Sequence, residues 1–397
     1  MAAANPPPAP HPDQRTDQRP NQRTDPRTGP SADPTVTPTD LRSEMDQPIG
    51  IAVIGAGYWG PNLVRNAQAT PGLKLRYLCD LDTERARRVL GDYSTVRVSG
   101  SLDDVLADPA VDAVAIATPA ATHLPVAMAA LRAGKHVLVE KPLAAGYAEG
   151  LELVREAENR GLTLMLDHTF VYTPVVQHLR ELVRGGEIGT VQYLDSVRVN
   201  LGLVQPDVDV FWDLAPHDLS IFDAILPDGV SVTRVSAHGS DPIGAGRACV
   251  GHLTLVLSDG VQAHVHVNWL SPTKIRTMIV GGSRRTIVWD DLNVVQRVSV
   301  HDRGADVIEG DEARTQAIVS YRRGDTVAPA LPEREALRGV MAEFAASITE
   351  KRAPLTDGWS GLRVLAILEA ASASLAAGGE FVTVRDVRPA NWEEAVA

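Results

Sequence analysis

Residues 51–60 read IAVIGAGYWG. The first four are apolar without interruption, which suits a strand buried on both faces of a parallel sheet. Gly55, Gly57 and Gly60 follow at GxGxxG spacing. The first glycine permits a tight turn, the second lets backbone approach a pyrophosphate, and the third lets a helix pack close to the strand. PNLVRNAQA, directly after, reads as that helix, with its positive N-terminal end aimed at the phosphates. Taken alone, such spacing is also compatible with an ordinary glycine-rich turn, so its context matters.

That context is a second strand, LKLRYLCD over 73–80, ending in Asp80, twenty positions beyond Gly60. An acidic residue there accepts hydrogen bonds from the adenosine ribose hydroxyls and repels a 2′-phosphate. The expected cofactor is therefore NAD. Asp82 and Arg85 lie close by and keep NADP as the less favoured choice.

Working outward, the text alternates strand and helix from Pro48 to His168. TERARRVLGDY is helical, TVRVS is a short strand, and SLDDVLAD begins a helix with a serine cap and first-turn acids. VDAVAIATP (111–119) and KHVLVEKP (135–142) are further buried strands, separated by the helix ATHLPVAMAALRAG. AGYAEGLELVREAENRG is helical, and LTLMLDHTF returns to the sheet. This repeat predicts an α/β fold opening on a doubly wound parallel Rossmann sheet over 48–168. Ligands of such sheets bind beyond the carboxyl ends of the strands. Thr118, Pro119, His123, Glu140, Lys141 and His168 fall near those ends.

The pattern changes after 168. TPVVQHLRELVRGG is a helix, VQYLDSVRVNLG a strand, and WDLAPHDLSIFDAIL (212–226) a helix. From about 230 to 300 alternating runs joined by turns read as antiparallel strands. Two helices, EREALRGVMAEFAASITEKR and GLRVLAILEAASASLAAGG, close the chain. The expected second domain, 169–397, is a large, open, mostly antiparallel sheet with helices on one face, which binds substrate and mediates oligomer contacts. In GVQAHVHVNW, Gln262, His264, His266 and Asn268 share the other face. No carboxylate or third ligand lies near His264 and His266 in sequence, and strand alternation alone produces their spacing. No metal is expected there.

Residues 1–47 differ from everything else. They are dense in Pro, Asp, Gln, Arg and Thr, with a crude repeat in DQRTDQRPNQRTDPRT and no hydrophobic periodicity. A disordered tail is expected. The 397 residues suffice for two sizeable cores, with 44% hydrophobic and 22% charged side chains. A formal net charge of −12 argues against a nucleic-acid partner, which would need a basic stripe. Two cysteines, Cys79 and Cys249, cannot make a disulfide framework and read as small buried residues. No apolar run reaches membrane-spanning length and no signal-peptide core opens the chain, so a cytoplasmic location is expected.

Three stretches carry chemistry. Lys141, in Glu140-Lys141-Pro142 at a buried strand end, can hold a substrate hydroxyl or shift a neighbouring acid–base group, unless it simply emerges into solvent. Asp213 and His217 are four apart and lie on one helical face. Histidine titrates near neutrality and can take a hydroxyl proton as hydride leaves the same carbon. The competing reading makes Asp213 a helix cap. Trp212 opens the same stretch, and Pro216 is tolerated if it lies in the first turn. His168 and Tyr172 lie at the crossover between domains, where clefts commonly hold ligand, so both are expected to line the substrate site. Residues around 195–212 and 268–276 are expected to read the substrate.

With GAGYWG, EKPLA and WDLAPHDLSI together, residues 49–385 resemble the glucose–fructose oxidoreductase / inositol dehydrogenase / MocA (Gfo/Idh/MocA) family. The resemblance implies reversible NAD(P)-dependent oxidation of a secondary alcohol on a sugar, nucleotide sugar or cyclitol. It implies an open sheet that joins subunits into a homodimer or homotetramer. By position, Lys141 matches the active-site lysine, His217 the acid–base histidine and Asp213 the carboxylate before it. Gly55, Gly57, Tyr58, Trp59, Gly60, Asp80, Thr118, Pro119, His123, Glu140 and Lys141 match cofactor positions, and Trp212, His168 and Tyr172 stand on the substrate side. Two other activities fit the same text: an NADPH-dependent keto-sugar reductase in deoxysugar synthesis, or a non-catalytic dinucleotide sensor.

Overall fold

Alternation within single strands sends side chains to two separate cores. A computed structural model describes residues 47–307 and 319–388; the tail expected over 1–47 lies, up to residue 46, outside the described residues. The first sheet contains β1 (Ile49–Ile54), β2 (Leu73–Cys79), β3 (Arg97–Ser99), β4 (Ala113–Ile116), β5 (His136–Glu140) and β6 (Leu164–Asp167). Its order is 3-2-1-4-5-6, with every pair parallel. The helices between are α1 (Gly60–Ala69), α2 (Thr83–Leu90), α3 (Leu102–Ala107), α4 (His123–Arg132) and α5 (Tyr147–Arg160). In β1, Ile51 and Val53 join Leu63, Val64 and Ala67 of α1, while Ala52 and Ile54 face Leu131 and Leu153 on the opposite side. Crossing at β1 puts the switch in strand order beside the glycine turn, the usual ligand crevice of such a sheet.

Among the described residues the second sheet has nine strands. β7 (Val191–Leu201) lies at its centre, followed in sequence by β8 (Val232–Ser240), β9 (Val250–Leu257), β10 (Gln262–Asn268), β11 (Leu270–Gly282), β12 (Thr286–Asp290), β13 (Val298–Val307), β14 (Val319–Val327) and β15 (Val382–Thr383). The order is 14-13-12-11-7-10-9-8-15. All pairings are antiparallel except the parallel pair β7–β10. Ala263, Val265, Val267 and Trp269 are buried beneath the helices, and Gln262 and His264 are exposed on the open face. The strands beyond 300 are additions to the sequence reading. Their charged residues and glycines, as in VSVHDRGADV, break the alternation that betrays a half-buried strand.

Helices α6 (Pro174–Arg184), α7 (Val210–Ile225), α8 (Ala336–Glu350) and α9 (Gly358–Ala376) complete the fold. The two closing helices do not both back the second sheet, as the sequence suggested. Helix α9 does, against β8 and α7. Helix α8 returns to the first sheet, where Leu337, Val340, Met341 and Phe344 are buried with Ile51, Val53, Ala115 and Leu138. Both cysteines are free and buried. Among the described residues no helix is long and apolar enough to cross a membrane.

Candidate active site

Steric demands explain the glycines first. Gly55 has φ +106°, and a Cβ there would stand 2.7 Å from the Ala117 carbonyl oxygen. A Cβ at Gly60 would run into the Gly55 carbonyl, whereas one at Gly57 would meet nothing within 4 Å. Gly57 thus leaves open the approach that a phosphate needs. Trp59, at the N-cap of α1, supplies no side-chain cap, and only its carbonyl oxygen is engaged there, accepting from the Asn62 N–H at 2.9 Å. Asp80 Oδ2 accepts from the Ala56 N–H at 2.6 Å and Oδ1 from the Asp82 N–H at 2.8 Å. The carboxylate at the end of β2 is therefore held against the turn. Tyr58 is exposed and stacks on Trp59, ring centroids 6.5 Å apart. Open backbone, uncapped helix start and adjacent carboxylate together fit a dinucleotide.

The segments that follow β5 and β6 meet helix α7. Lys141 Nζ donates to the Asp213 carbonyl oxygen at 2.9 Å and to Asp213 Oδ1 at 3.2 Å. Asp213 Oδ2 accepts from the Trp269 indole at 3.0 Å. This corrects the expected Asp213–His217 pair: both carboxylate oxygens are engaged elsewhere, and His217 Nδ1 has no hydrogen-bond partner. Nor is Asp213 the helix cap. Asp209 is, accepting from the Phe211 and Trp212 N–H groups at 3.0 Å each. With α7 beginning at Val210, Pro216 lies inside the helix rather than in its first turn.

His217 stands edge-on to Phe170, centroids 5.0 Å apart. The guanidiniums of Arg198 and Arg276 lie over the same phenyl ring at 4.4 and 5.0 Å. Arg198 is itself buried and paired through two hydrogen bonds with Asp218, which also accepts from Ser196. Burial, then the charges of Lys141 and Arg198, hold His217 well below the usual imidazole range. His168 is buried with neither ring nitrogen partnered, and burial followed by Lys141 pulls it down to about 3. The result is two neutral imidazoles beside one ammonium. Buried polar atoms without partners are uncommon in folded chains. Here both nitrogens of His168 and His217 Nδ1 share one neighbourhood, which marks where a polar ligand would be met.

Other expected site residues do structural work. His123 is buried with Nδ1 2.8 Å from the Pro142 carbonyl and Nε2 2.9 Å from that of Thr118, so it braces two strand-end loops instead of facing the cofactor. Thr118 Oγ1 receives a bond from Thr122, and Pro119 is exposed. The Tyr172 hydroxyl is spent on Thr356 at 2.8 Å, and burial raises its pKa, so it does not line the substrate site. The Trp212 indole donates to Ser372 of α9 at 2.9 Å and is likewise occupied. His264 lies 3.1 Å from Asp195, and His266 stacks on His252. Among the described residues no three His, Cys, Asp or Glu side chains gather to hold a metal. Asp167, Phe170, Arg198, Arg276 and Trp269 escaped the sequence reading as individual site residues, because their partners come from distant elements.

A Rossmann glycine turn, with a buried histidine and a lysine beyond the strand ends, is the set of parts an oxidoreductase would need. Comparison with known proteins agrees. Residues 49–168 match the model of the oxidoreductase family with an NAD-binding Rossmann fold, and residues 176–288 match the GFO/IDH/MocA C-terminal domain. UDP-N-acetylglucosamine 3-dehydrogenase from Acidithiobacillus ferrooxidans is 30% identical over 79% of this chain and 93% of that protein. Its solved structure overlays with TM-score 0.70, covering 83% of this chain and 98% of that one at 28% identity. Inositol 2-dehydrogenase from Rhodococcus jostii is 28% identical over 62% of this chain and 69% of its own. GenD2 from gentamicin A biosynthesis, solved in complex with NAD, gives TM-score 0.70 at 25% identity, covering 86% of this chain and 98% of that one. The chain belongs to the Gfo/Idh/MocA family of NAD-binding Rossmann oxidoreductases and is a dehydrogenase.

Proposed function

We propose that this dehydrogenase oxidises a secondary hydroxyl of a sugar, nucleotide sugar or cyclitol, with NAD as the favoured cofactor. The observation that carries the reading is the pairing of a neutral, buried His217 with a Lys141 that still has donor capacity. An ammonium has three N–H bonds. Two point at Asp213, which leaves one for a substrate oxygen. His217, uncharged at neutral pH, accepts the hydroxyl proton. Asp213 positions Lys141 rather than His217. Gly55, Gly57, Gly60 and Asp80 would hold the dinucleotide, with Tyr58 and Trp59 beside them. When bound, nicotinamide supplies the two-electron acceptor for the hydride lost from carbon.

NAD is favoured because Asp80 stands at the end of β2, and because Arg85 is drawn onto Asp82 at 3.2 Å rather than left free for a 2′-phosphate. The sugar, nucleotide-sugar and cyclitol classes are supported by the names of the relatives. Arg198 and Arg276 lie within the segments expected to read the substrate. We further assign residues 48–168 to cofactor binding and 169–397 to substrate binding and self-association as a homodimer or homotetramer, with α8 crossing back to brace the cofactor half.

The test is a panel: purified protein with NAD or NADP across inositols, free aldoses and UDP- or dTDP-sugars, following reduced nicotinamide. Turnover of one class with NAD is expected. Turnover only of keto-sugars with NADPH would replace this reading by the reductase. Cofactor binding without turnover in either direction would favour the sensor.

A further inference from the structure

Glu140 and Asp167 end two neighbouring parallel strands and are direct register partners. Two carboxyl groups side by side in a dry site cannot both ionise. Glu140 Oε1 is buried and, as a carboxylate oxygen, has no partner. As an O–H it would have the neighbouring Asp167 carboxylate as its acceptor. Burial, then the charge of Asp167, raises Glu140 well above the carboxylate range, so Glu140 carries the proton.

Asp167, buried to 1% exposure, is also raised by burial, but less far than Glu140, which leaves it the acceptor of the pair. Besides Glu140 it accepts from Thr169 Oγ1 at 2.7 Å through Oδ1, and from the Trp59 indole at 3.3 Å through Oδ2. Trp59 belongs to the glycine turn, 108 residues earlier. Glu140 is followed directly by Lys141, whose N–H returns to Glu140 Oε2 at 3.2 Å. One carboxylate therefore touches both halves of the site.

We propose that Asp167 is a positioning residue for the dinucleotide site: it holds the Trp59 indole, and with it the 55–60 turn, against the strand end that carries Glu140 and Lys141. The inference rests on the dinucleotide reading of that turn but not on any particular substrate. No motif in the sequence pointed to Asp167.

The test begins without cofactor. Labelling with 15N-tryptophan displays the six indole N–H groups, and Trp59→Phe identifies one of them by its loss. In Asp167→Ala that signal should move upfield and exchange faster with solvent. In Asp167→Asn, whose amide oxygen can still accept, it should stay near its original place. Calorimetric titration with NADH then supplies a cycle. Asp167→Ala and Trp59→Phe should each weaken NADH binding about tenfold, the scale of one charge-assisted hydrogen bond, and the double variant should be no weaker than the weaker single. If Asp167→Ala does not fold, Asp167→Ser, too short to reach Trp59, carries the same expectations. An unmoved Trp59 signal, or losses that simply add, overturns the proposal. A wild-type protein that ignores NADH would instead overturn the dinucleotide reading, and the indole signal would still decide the Asp167–Trp59 link.

Discussion

His217 and Lys141 share a corner of the site, and each change there has a separate signature. A positioned acid–base group is worth about 10² to 10⁴ in rate. Changing His217→Ala should lower turnover on that order while NADH affinity, read by calorimetry, holds. Lys141→Ala should cost as much or more, since it removes the donor to the substrate oxygen and leaves Asp213 with only Trp269. The pH profile follows from the depressed histidine. With burial and Lys141 holding His217 neutral well below the usual imidazole range, kcat/KM for alcohol oxidation should stay flat as pH falls through 6.5 and decline only further down. An acid limb centred at or above 6.5 would remove His217 as the neutral base.

Helix α7 carries that corner, so its start matters to chemistry a turn or more away. Asp209 caps it through two N–H groups. Asp209→Ala should destabilise the protein by about 1 kcal/mol, measured as a lower urea midpoint. The sequence reading placed this helix at 212–226 because Trp212 opens its motif, and it missed the cap. The local text offers several acidic residues, and only the backbone shows which one sits at the boundary. The same holds for Asp213. Spacing correctly put it on one helical face with His217, yet spacing cannot reveal that Trp269, from the end of β10, and Lys141, from the end of β5, arrive first.

Across the whole molecule, helix α8 ties the chain's far end to its first sheet. Phe344 is fully buried there. Phe344→Ala should cost about 3–5 kcal/mol in chemical unfolding, and NADH affinity should suffer along with stability because the damaged core lies under the glycine turn. Stability should also depend on pH through His168. Unfolded, this histidine binds a proton below about 6.5, whereas folded it does not until about 3. Protons therefore favour the unfolded chain throughout that window, and stability falls as pH drops from 6.5 toward 3. His168→Phe should lose less over the same range, read by urea midpoints at successive pH values.

What the amino-acid sequence determined by itself is whatever a short window can encode. The GxGxxG turn, the buried strands of the first sheet, Asp80 at the end of β2, Lys141 at a strand end and His217 on a helix all follow from local steric and hydrophobic demands. Tertiary structure alone decided the rest. It gave Asp213 to Lys141, spent Tyr172 on Thr356 and Trp212 on Ser372, returned α8 to the first sheet, and brought Asp167 between Trp59 and Glu140. Each of those outcomes turns on which of several equally suitable polar or apolar partners comes within reach. For groups separated by tens to hundreds of residues, that is settled by the packing of the whole fold.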